Sequence, residues 1–226
     1  MPRIELFHGN CLELLARMDE GCIDLLVTDP PYRIITGGDS GNRPKGMLSG
    51  NRQLFKHQTD IGISEWMPLV YKVLKDGSHA YIFTNALNLK DMLIESEKAG
   101  FKLHNLLVWE KNNCNPSQFY MKNCEYVLFL RKGKAKWIAN IGASKTVHQF
   151  NNILRGRSHP CEKPVDLLRF YIENSSKEGD TVMDPFMGTG SCGEACGIAN
   201  RNFVGVELDE DYFNIAKERL KGEPNA

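Results

Sequence analysis

Hydrophobic positions along the chain follow two periods that alternate with each other. Apolar runs, or runs with a period of two, predict strands, whereas apolar positions spaced by three and four residues predict helices. The predicted strands are Ile4–His8, Ile23–Thr28, His79–Thr84, Lys102–Trp109, Glu125–Arg131, Thr181–Asp184 and Phe203–Glu207. The predicted helices begin after Asn10, span Glu65–Lys75, Asn88–Ala99, Pro164–Asn174 and Ser191–Ala199, and follow Asp209. This alternation is typical of α/β proteins in which a mostly parallel sheet carries helices on both faces.

Length and composition narrow the class of protein. The chain has 226 residues, of which 42% are hydrophobic and 25% charged, and this fits one globular domain over residues 1–226. No apolar stretch approaches the roughly 18 residues that span a bilayer, and the first residues lack the layout of a signal peptide, so we expect a cytoplasmic protein with no membrane contact. The seven cysteines form no C-x-x-C pair. We therefore expect neither a disulfide framework nor a metal site.

Basic side chains are concentrated in two segments, although the formal net charge of the chain is zero. The predicted loop at residues 33–60 has a length that is typical of functional loops. Residues 126–161 contain seven basic and no acidic side chains. Solvated surface would explain one such segment, but two indicate a face that holds a polyanion such as DNA. The candidate DNA contacts are Arg33, Arg43, Lys45, Arg52, Lys132, Lys134, Lys136, Lys145, Arg155 and Arg157.

The first candidate site is the tetrapeptide Asp29-Pro30-Pro31-Tyr32, which follows a predicted strand. Ligand sites of parallel sheets lie at the carboxyl ends of strands. The prolines remove two donors, so that the Asp29 carboxylate and the Pro30 carbonyl can both accept hydrogens from one amino group. The Tyr32 ring would offer a face for a base that has left its stack. A plain turn at the end of a strand is the alternative interpretation.

The second candidate site is a glycine-rich turn between a strand and a helix, at residues 184–190. Gly188 and Gly190 allow a tight turn, and the helix that follows offers unpaired backbone N–H groups. The turn lacks the ending of a phosphate-binding loop. Glu207 ends the next strand about twenty residues later, where an acidic side chain typically accepts from ribose hydroxyls. A nucleoside-containing cofactor is indicated, and on this motif alone a nicotinamide dehydrogenase stays open.

Together these motifs resemble those of the S-adenosylmethionine-dependent DNA amino-methyltransferases. Residues 29–32 look like the catalytic motif of that family, residues 186–190 like its F-x-G-x-G cofactor motif, and residues 159–164 like its HPxEKP stretch. Gly9-Asn10-Cys11 fits a position where the family often has Gly-Asp-Cys beside the cofactor adenine. The resemblance implies S-adenosylmethionine as cofactor. The implied cofactor-binding residues are Asn10, Cys11, Asp29, Lys163, Asp184, Phe186, Gly188, Thr189, Gly190 and Glu207.

The order of the motifs is similar to that of the permuted beta group of the family, because the catalytic motif precedes the cofactor motif. The resemblance implies a single Rossmann-like methyltransferase domain with a circularly permuted motif order, in which the basic segment 126–161 is a small inserted target-recognition segment. Its catalytic residues would be Asp29, Pro30, Pro31 and Tyr32. They would transfer a methyl group directly to an amine of a base flipped out of double-stranded DNA.

Several substrates and partners are compatible with these motifs. Asp-Pro-Pro-Tyr is more typical of adenine-N6 enzymes than of cytosine-N4 enzymes, so we expect site-specific adenine-N6 methylation, with cytosine-N4 as the alternative. A protein glutamine methyltransferase is disfavoured by the motif order, and an inactive DNA-binding regulator by the intact motifs. A homodimer, as found in parts of the family, would enlarge the DNA-reading surface. A cognate restriction endonuclease is the other partner that the resemblance implies.

Overall fold

A computed structural model describes residues 2–31, 61–115, 120–134, 136–153 and 162–221. Strands and helices alternate through most of these ranges, as the hydrophobic pattern predicts. In chain order the elements are β1 Ile4–His8, α1 Cys11–Arg17, β2 Ile23–Thr28, α2 Ile63–Val73, β3 Leu74–Thr84, α3 Leu89–Ala99, β4 Lys102–Asn115, β5 Lys122–Arg131, β6 Val147–Gln149, α4 Val165–Ser175, β7 Thr181–Asp184, α5 Ser191–Ile198, β8 Asn202–Glu207 and α6 Glu210–Lys221. The expectation of a single α/β unit with a mostly parallel sheet is confirmed.

The eight strands form one sheet in the order β1-β8-β7-β2-β3-β5-β4-β6. β5 runs antiparallel to both of its neighbours, β3 and β4, and every other pair is parallel. The chain therefore brings the carboxyl ends of seven strands to one edge of the sheet, which we call the carboxyl edge. The opposite edge is called the amino edge. β2 and β7 are neighbours although the chain reaches them far apart in sequence, and crevices at such switch points hold ligands in open α/β sheets.

Two apolar layers cover the two faces of the sheet. The residues of α1, α2 and α3 that pack on one face include Leu15, Trp66, Met67, Val70 and Met92, all fully buried. Helices α4, α5 and α6 cover the other face with residues such as Leu167, Ile172, Cys192, Ala195 and Ala216. The cysteines of α5 are packing residues, as the sequence predicts, and Cys192 lies against the backbone of β2. Within the ranges the structure describes, no helix is long and apolar enough to cross a bilayer.

The structure moves several of the predicted boundaries, including those of α2 and β5. β3 begins at Leu74 instead of His79, and β4 continues past Trp109 to Asn115. β6, with only three residues, is too short to give a periodic signal. Residues 126–131 of the predicted target-recognition segment belong to β5, which pairs on both sides inside the sheet. That segment therefore starts too early in the prediction, because an apolar central strand was grouped with the basic residues that follow it.

Candidate active site

The carboxyl edge gathers three acidic side chains from three adjacent strands. Glu207 ends β8, Asp184 ends β7, and Asp29 follows β2. Neighbouring parallel strands place these ends within one crevice, as the sequence predicts. Asp184 and Glu207 are buried, with 6% and 4% of their surface exposed. A water-poor site with several carboxylates requires partners for each charge.

Asp29 has a lysine partner. Lys163 lies just before α4, is only 6% exposed, and donates to Oδ2 of Asp29 in a short ion pair. Its ammonium group also lies 5.2 Å from the centroid of the Phe83 ring, on β3. Pro30 and Pro31 continue the chain from Asp29, whereas Tyr32 lies outside the described residues. The predicted cofactor residue Lys163 therefore contacts the predicted catalytic carboxylate directly.

A second carboxylate shares this lysine. Glu125 on β5 lies 3.4 Å from Nζ of Lys163 through Oε2, and its Oε1 accepts from Lys111 of β4 in a short ion pair. Burial alone would raise the pKa of Glu125, but attraction to Lys163 and Lys111 outweighs it and leaves this pKa below its usual range. The sequence did not point to Glu125, because this residue belongs to none of the motifs. Its one signal was an acidic residue at the start of an otherwise apolar strand.

The glycine turn has the geometry that the motif predicts. Gly188 and Gly190 adopt positive φ angles of 54° and 85°, which favour glycine. Gly188 donates its N–H to Oε2 of Glu207 at 2.9 Å, and Gly190 caps the start of α5. Thr189 is buried beside them, and Phe186 packs edge-on against Trp66 with the ring centroids 5.4 Å apart. The turn is thus tied to the next strand end through Glu207.

Glu207 holds two backbone groups rather than pointing freely into the crevice. Its Oε1 accepts from the N–H of Asp209 at 2.9 Å, and its Oε2 accepts from Gly188. Burial raises the pKa of Glu207, and the backbone donors partly offset this. Each carboxylate oxygen carries a further lone pair, so an acceptor for ribose hydroxyls is still present. The predicted ribose contact of Glu207 remains a prediction.

The carboxyl group of Asp184 is buried at the carboxyl edge. Burial raises its pKa to about 7. The hydroxyl of Thr28 donates to its Oδ1 at 2.7 Å, and the N–H of Phe186 donates to the same oxygen at 3.1 Å. These two bonds favour the ionised form, while the charges of Asp29 and Glu207 disfavour it. Asp184 thereby links β2 to the glycine turn.

The residues at the carboxyl edge fit S-adenosylmethionine. Among the described residues, no atom would lie within 4 Å of a Cβ built at Gly9 or at Gly188, so this part of the structure leaves both backbones open to a ligand. Gly9 is bonded to the carbonyl of Glu207, and Cys11 is buried next to it, with its pKa raised by burial to about 12. Asn10 uses its side chain to cap α1, accepting from Leu12 at 2.9 Å. The predicted contact of Asn10 with an adenine remains a prediction.

The described basic residues lie at different places around the sheet. Lys132 is buried at the amino edge, where it donates to the carbonyls of Tyr71 and Leu74 at 2.8 Å each. Its predicted DNA contact is wrong, because its ammonium group is enclosed by the end of α2. Lys134 and Lys136 are exposed beside Gly77, also at the amino edge, because antiparallel β5 ends there.

Lys145 is exposed just before β6 at the outer side of the sheet, where Thr146 accepts from the backbone of Val108. The other predicted DNA contacts, Arg33, Arg43, Lys45, Arg52, Arg155 and Arg157, lie outside the described residues. So does most of the HPxEKP stretch, whose described part is Glu162, Lys163 and Pro164. Their predicted roles stay predictions.

Glu162 is held by an arginine from the last helix. Nη1 of Arg219 on α6 donates to Oε1 of Glu162 at 2.7 Å, and the same guanidinium pairs with Glu194 of α5. It also reaches the hydroxyl of Ser191 at 3.1 Å. Arg219 thus fixes the chain just before Lys163 to the start of α5. This clamp was not predicted, since no sequence motif contains Arg219.

Comparison with known proteins agrees with this geometry. The chain matches the N6/N4 DNA methylase family over residues 23–218. It is 28% identical to the Type II methyltransferase M2.DpnII of Streptococcus pneumoniae, over 96% of this chain and 90% of that protein. It is 27% identical to the Type II methyltransferase M.HpaI of Haemophilus parainfluenzae, over 97% of this chain and 75% of that protein.

Solved structures show the same architecture. The crystal structure of the M1.HpyAVI–SAM complex superposes with a TM-score of 0.73 at 26% identity, over 96% of this chain and 100% of that one. The cytosine-N4-specific PvuII DNA methyltransferase superposes with a TM-score of 0.77 at 19% identity, over 99% and 88% of the two chains, which supports the fold alone. The chain therefore belongs to the N6/N4 DNA methylase family and is an S-adenosylmethionine-dependent DNA methyltransferase.

Proposed function

We propose that this methyltransferase modifies the N6 amine of adenine within a specific site of double-stranded DNA. The observation that carries the proposal is the Asp29-Pro30-Pro31 sequence at the end of β2, with its carboxylate held at the carboxyl edge by Lys163. An aspartate at this position is typical of adenine enzymes in the resemblance described above. Cytosine-N4 methylation is the second candidate, because that amine has the same two hydrogens and a cytosine-N4-specific enzyme shares the fold.

The residues of the edge would act by positioning the amine. The Asp29 carboxylate and the Pro30 carbonyl each accept one hydrogen, which leaves the nitrogen lone pair less delocalised into the ring and directs it. S-adenosylmethionine, when bound, supplies a methyl group already activated by a positive sulfur. Gly188 and Gly190 keep the backbone clear, and Glu207 offers acceptors to hydroxyl groups. The Tyr32 side chain would support the extruded base.

We further propose that DNA approaches the carboxyl edge along a hairpin ribbon, formed by residues 111–115 of β4 and 122–125 of β5. The ribbon extends beyond the last residues that pair with β3 and β6. Tyr120, two residues before β5, is 94% exposed, and Lys122 at the start of β5 is also exposed. Major grooves admit two-stranded ribbons. This surface supplements the predicted basic contacts in the loop 33–60 and in residues 154–161.

The base assignment is tested by product analysis. Purified protein is incubated with unmethylated DNA and S-adenosylmethionine, and the DNA is digested to nucleosides for mass spectrometry. We expect N6-methyladenine, and an Asp29→Ala control that binds the cofactor without forming it. N4-methylcytosine as the sole product would overturn the adenine assignment while leaving the family assignment intact.

A further inference from the structure

Four charged side chains form a row of alternating charge that begins at the proposed catalytic carboxylate, Asp29. Asp29 pairs with Lys163, Lys163 lies 3.4 Å from Glu125, and Glu125 pairs with Lys111. They come from four separate parts of the fold: the end of β2, the start of α4, β5 and β4. The ammonium group of Lys111 also lies 4.7 Å from the ring centroid of Trp109. Because the four side chains come from separate parts of the sequence, only folding brings them together.

These four side chains are largely buried. The side chain of Lys163 is 6% exposed and that of Lys111 14% exposed, while Asp29 and Glu125 are each 21% exposed. Charges in such surroundings interact more strongly than charges at the surface, because water screens them less. A change at one member should therefore be felt at the others. The two positive and two negative charges sum to zero, so the group as a whole can be buried.

The ammonium group of Lys163 attracts two carboxylates, those of Asp29 and Glu125. How its attraction is shared between them affects the reaction. If Lys163 paired with Asp29 alone, its ammonium group would compete fully with the substrate amine for the acceptor oxygens of Asp29. Glu125 draws part of that attraction to itself through Oε2, an atom closed off from solvent. Lys111 in turn limits how strongly Glu125 can draw on Lys163.

We propose that Glu125 is a positioning residue for methyl transfer: by sharing Lys163 with Asp29, it leaves the Asp29 carboxylate available to accept the amine. Lys111 also pairs with Glu125 and so weakens the attraction between Glu125 and Lys163. The proposal deepens the proposed function, since it takes Asp29 as the acceptor for the amine. It concerns a residue that acts on Asp29 through Lys163.

The proposal predicts opposite effects for two substitutions. Glu125→Gln keeps the shape of the side chain and removes a negative charge, so the site becomes more positive and the ionised form of Asp29 is favoured. The acid limb of the pH–rate profile should then move to lower pH by about one unit. Lys111→Met removes a positive charge, and the same limb should move to higher pH. A loss of packing alone would not shift the limb in opposite directions.

The sign of this shift depends on the charged groups of every element around Asp29. Among the described residues they are Lys163 before α4, Glu125 on β5, Lys111 on β4, Asp184 on β7 and Glu207 on β8. Asp184 and Glu207 are unchanged by either substitution and are common to all variants. The displacement of the acid limb between a variant and the unaltered protein therefore follows from the one charge that differs.

The test is single-turnover transfer of the labelled methyl group of S-adenosylmethionine to DNA, measured against pH with both cofactor and DNA at saturating concentrations. For Glu125→Gln we expect a maximal rate at least about tenfold lower, because Lys163 then holds Asp29 alone, with cofactor affinity nearly unchanged. Glu125→Asp, which keeps the charge, should recover part of the rate. The matched control is Glu173→Gln, which removes an exposed partner of Arg169 on α4 and should change neither rate nor limb.

Three outcomes decide the proposal. Limbs that move in opposite directions support it, and limbs that stay in place or move together overturn it. If Glu125→Gln does not fold, Lys111→Met still decides, because its Glu125 keeps a partner in Lys163 and the acid limb must rise. Total methyl transfer is counted whichever base receives it, so a cytosine product would overturn the base assignment without touching this proposal.

Discussion

Two buried lysines at opposite edges of the sheet show how differently one residue type is used in this protein. Lys132 at the amino edge and Lys163 at the carboxyl edge are 9% and 6% exposed. Each lies over an aromatic ring, Tyr71 at 4.6 Å and Phe83 at 5.2 Å. Lys132 binds neutral carbonyls at the end of α2, whereas Lys163 binds carboxylates.

The difference separates stability from chemistry. A helix ends with carbonyl groups that have no partner within the helix, and Lys132 supplies donors for them from a neighbouring strand. Lys163 instead fixes the charge and direction of a carboxylate that has to meet a substrate. The lysine of the amino edge therefore stabilises the fold, and the lysine of the carboxyl edge orients a group for the reaction.

The largest expected effect comes from removing the lysine of the carboxyl edge. Lys163→Met should lower single-turnover methyl transfer by about 100-fold or more, because Asp29 loses the group that orients it and a buried charge is left uncompensated. The rate is measured per molecule of folded protein, with folding checked by circular dichroism. A rate within about threefold of the unaltered protein would contradict a role of Lys163 in orienting Asp29.

The companion substitution at the amino edge should have the reverse profile. Lys132→Met leaves the carbonyls of Tyr71 and Leu74 without this donor, and we expect the free energy of unfolding to fall by about 1–3 kcal/mol. Methyl transfer by the folded protein should be unchanged. Denaturant unfolding followed by a rate measurement checks both. Lost transfer at full stability would mean that Lys132 has been assigned to the wrong edge.

Asp184 provides a pH-dependent comparison between folded and unfolded chain. Its pKa is about 7 when folded against 3.8 ordinarily, so between about pH 4 and 7 only the folded chain keeps the proton. Its contribution to the free energy of unfolding therefore falls as pH rises through this window. Asp184→Asn, which resembles the protonated form, should be more stable relative to the unaltered protein at pH 8 than at pH 4.5.

The size of this change is on the order of 1–4 kcal/mol. It is measured as the difference in free energy of unfolding between the two proteins, in denaturant titrations without cofactor at both pH values. Taking the difference removes the contributions of Glu207 and Glu125, which titrate in both proteins. A difference that does not vary with pH would show that Asp184 is ionised in the folded protein at pH 5.

The smallest expected effect distinguishes the two edges by their contact with DNA. Lys122 lies on the hairpin ribbon at the carboxyl edge, and Lys134 lies at the amino edge. Lys122→Gln should reduce the slope of log affinity against log salt by about 0.9, the value for one phosphate contact. Lys134→Gln should leave the slope unchanged. Equal reductions for both would place DNA across both edges.

Much of the fold and of the site could be predicted because the signals were local. The motif at residues 29–31 and the glycine turn at 184–190 follow strands whose apolar runs are unmistakable, and parallel pairing brings such strand ends together. The fate of Lys132 could not be predicted, because it depends on β5 running antiparallel and ending beside α2. The role of Glu125 could not be predicted either, because its partners Lys111 and Lys163 come from other parts of the chain.

The most direct test of the account is the effect of Asp29→Asn on methyl transfer. This substitution keeps the shape of the side chain and removes the charge that the carboxyl edge is built to hold. Single-turnover rates are measured on DNA at saturating S-adenosylmethionine, with cofactor affinity determined separately by calorimetry. We expect a loss of at least about 1,000-fold in rate, with cofactor affinity within about tenfold. A rate within a few-fold of the unaltered protein would contradict it.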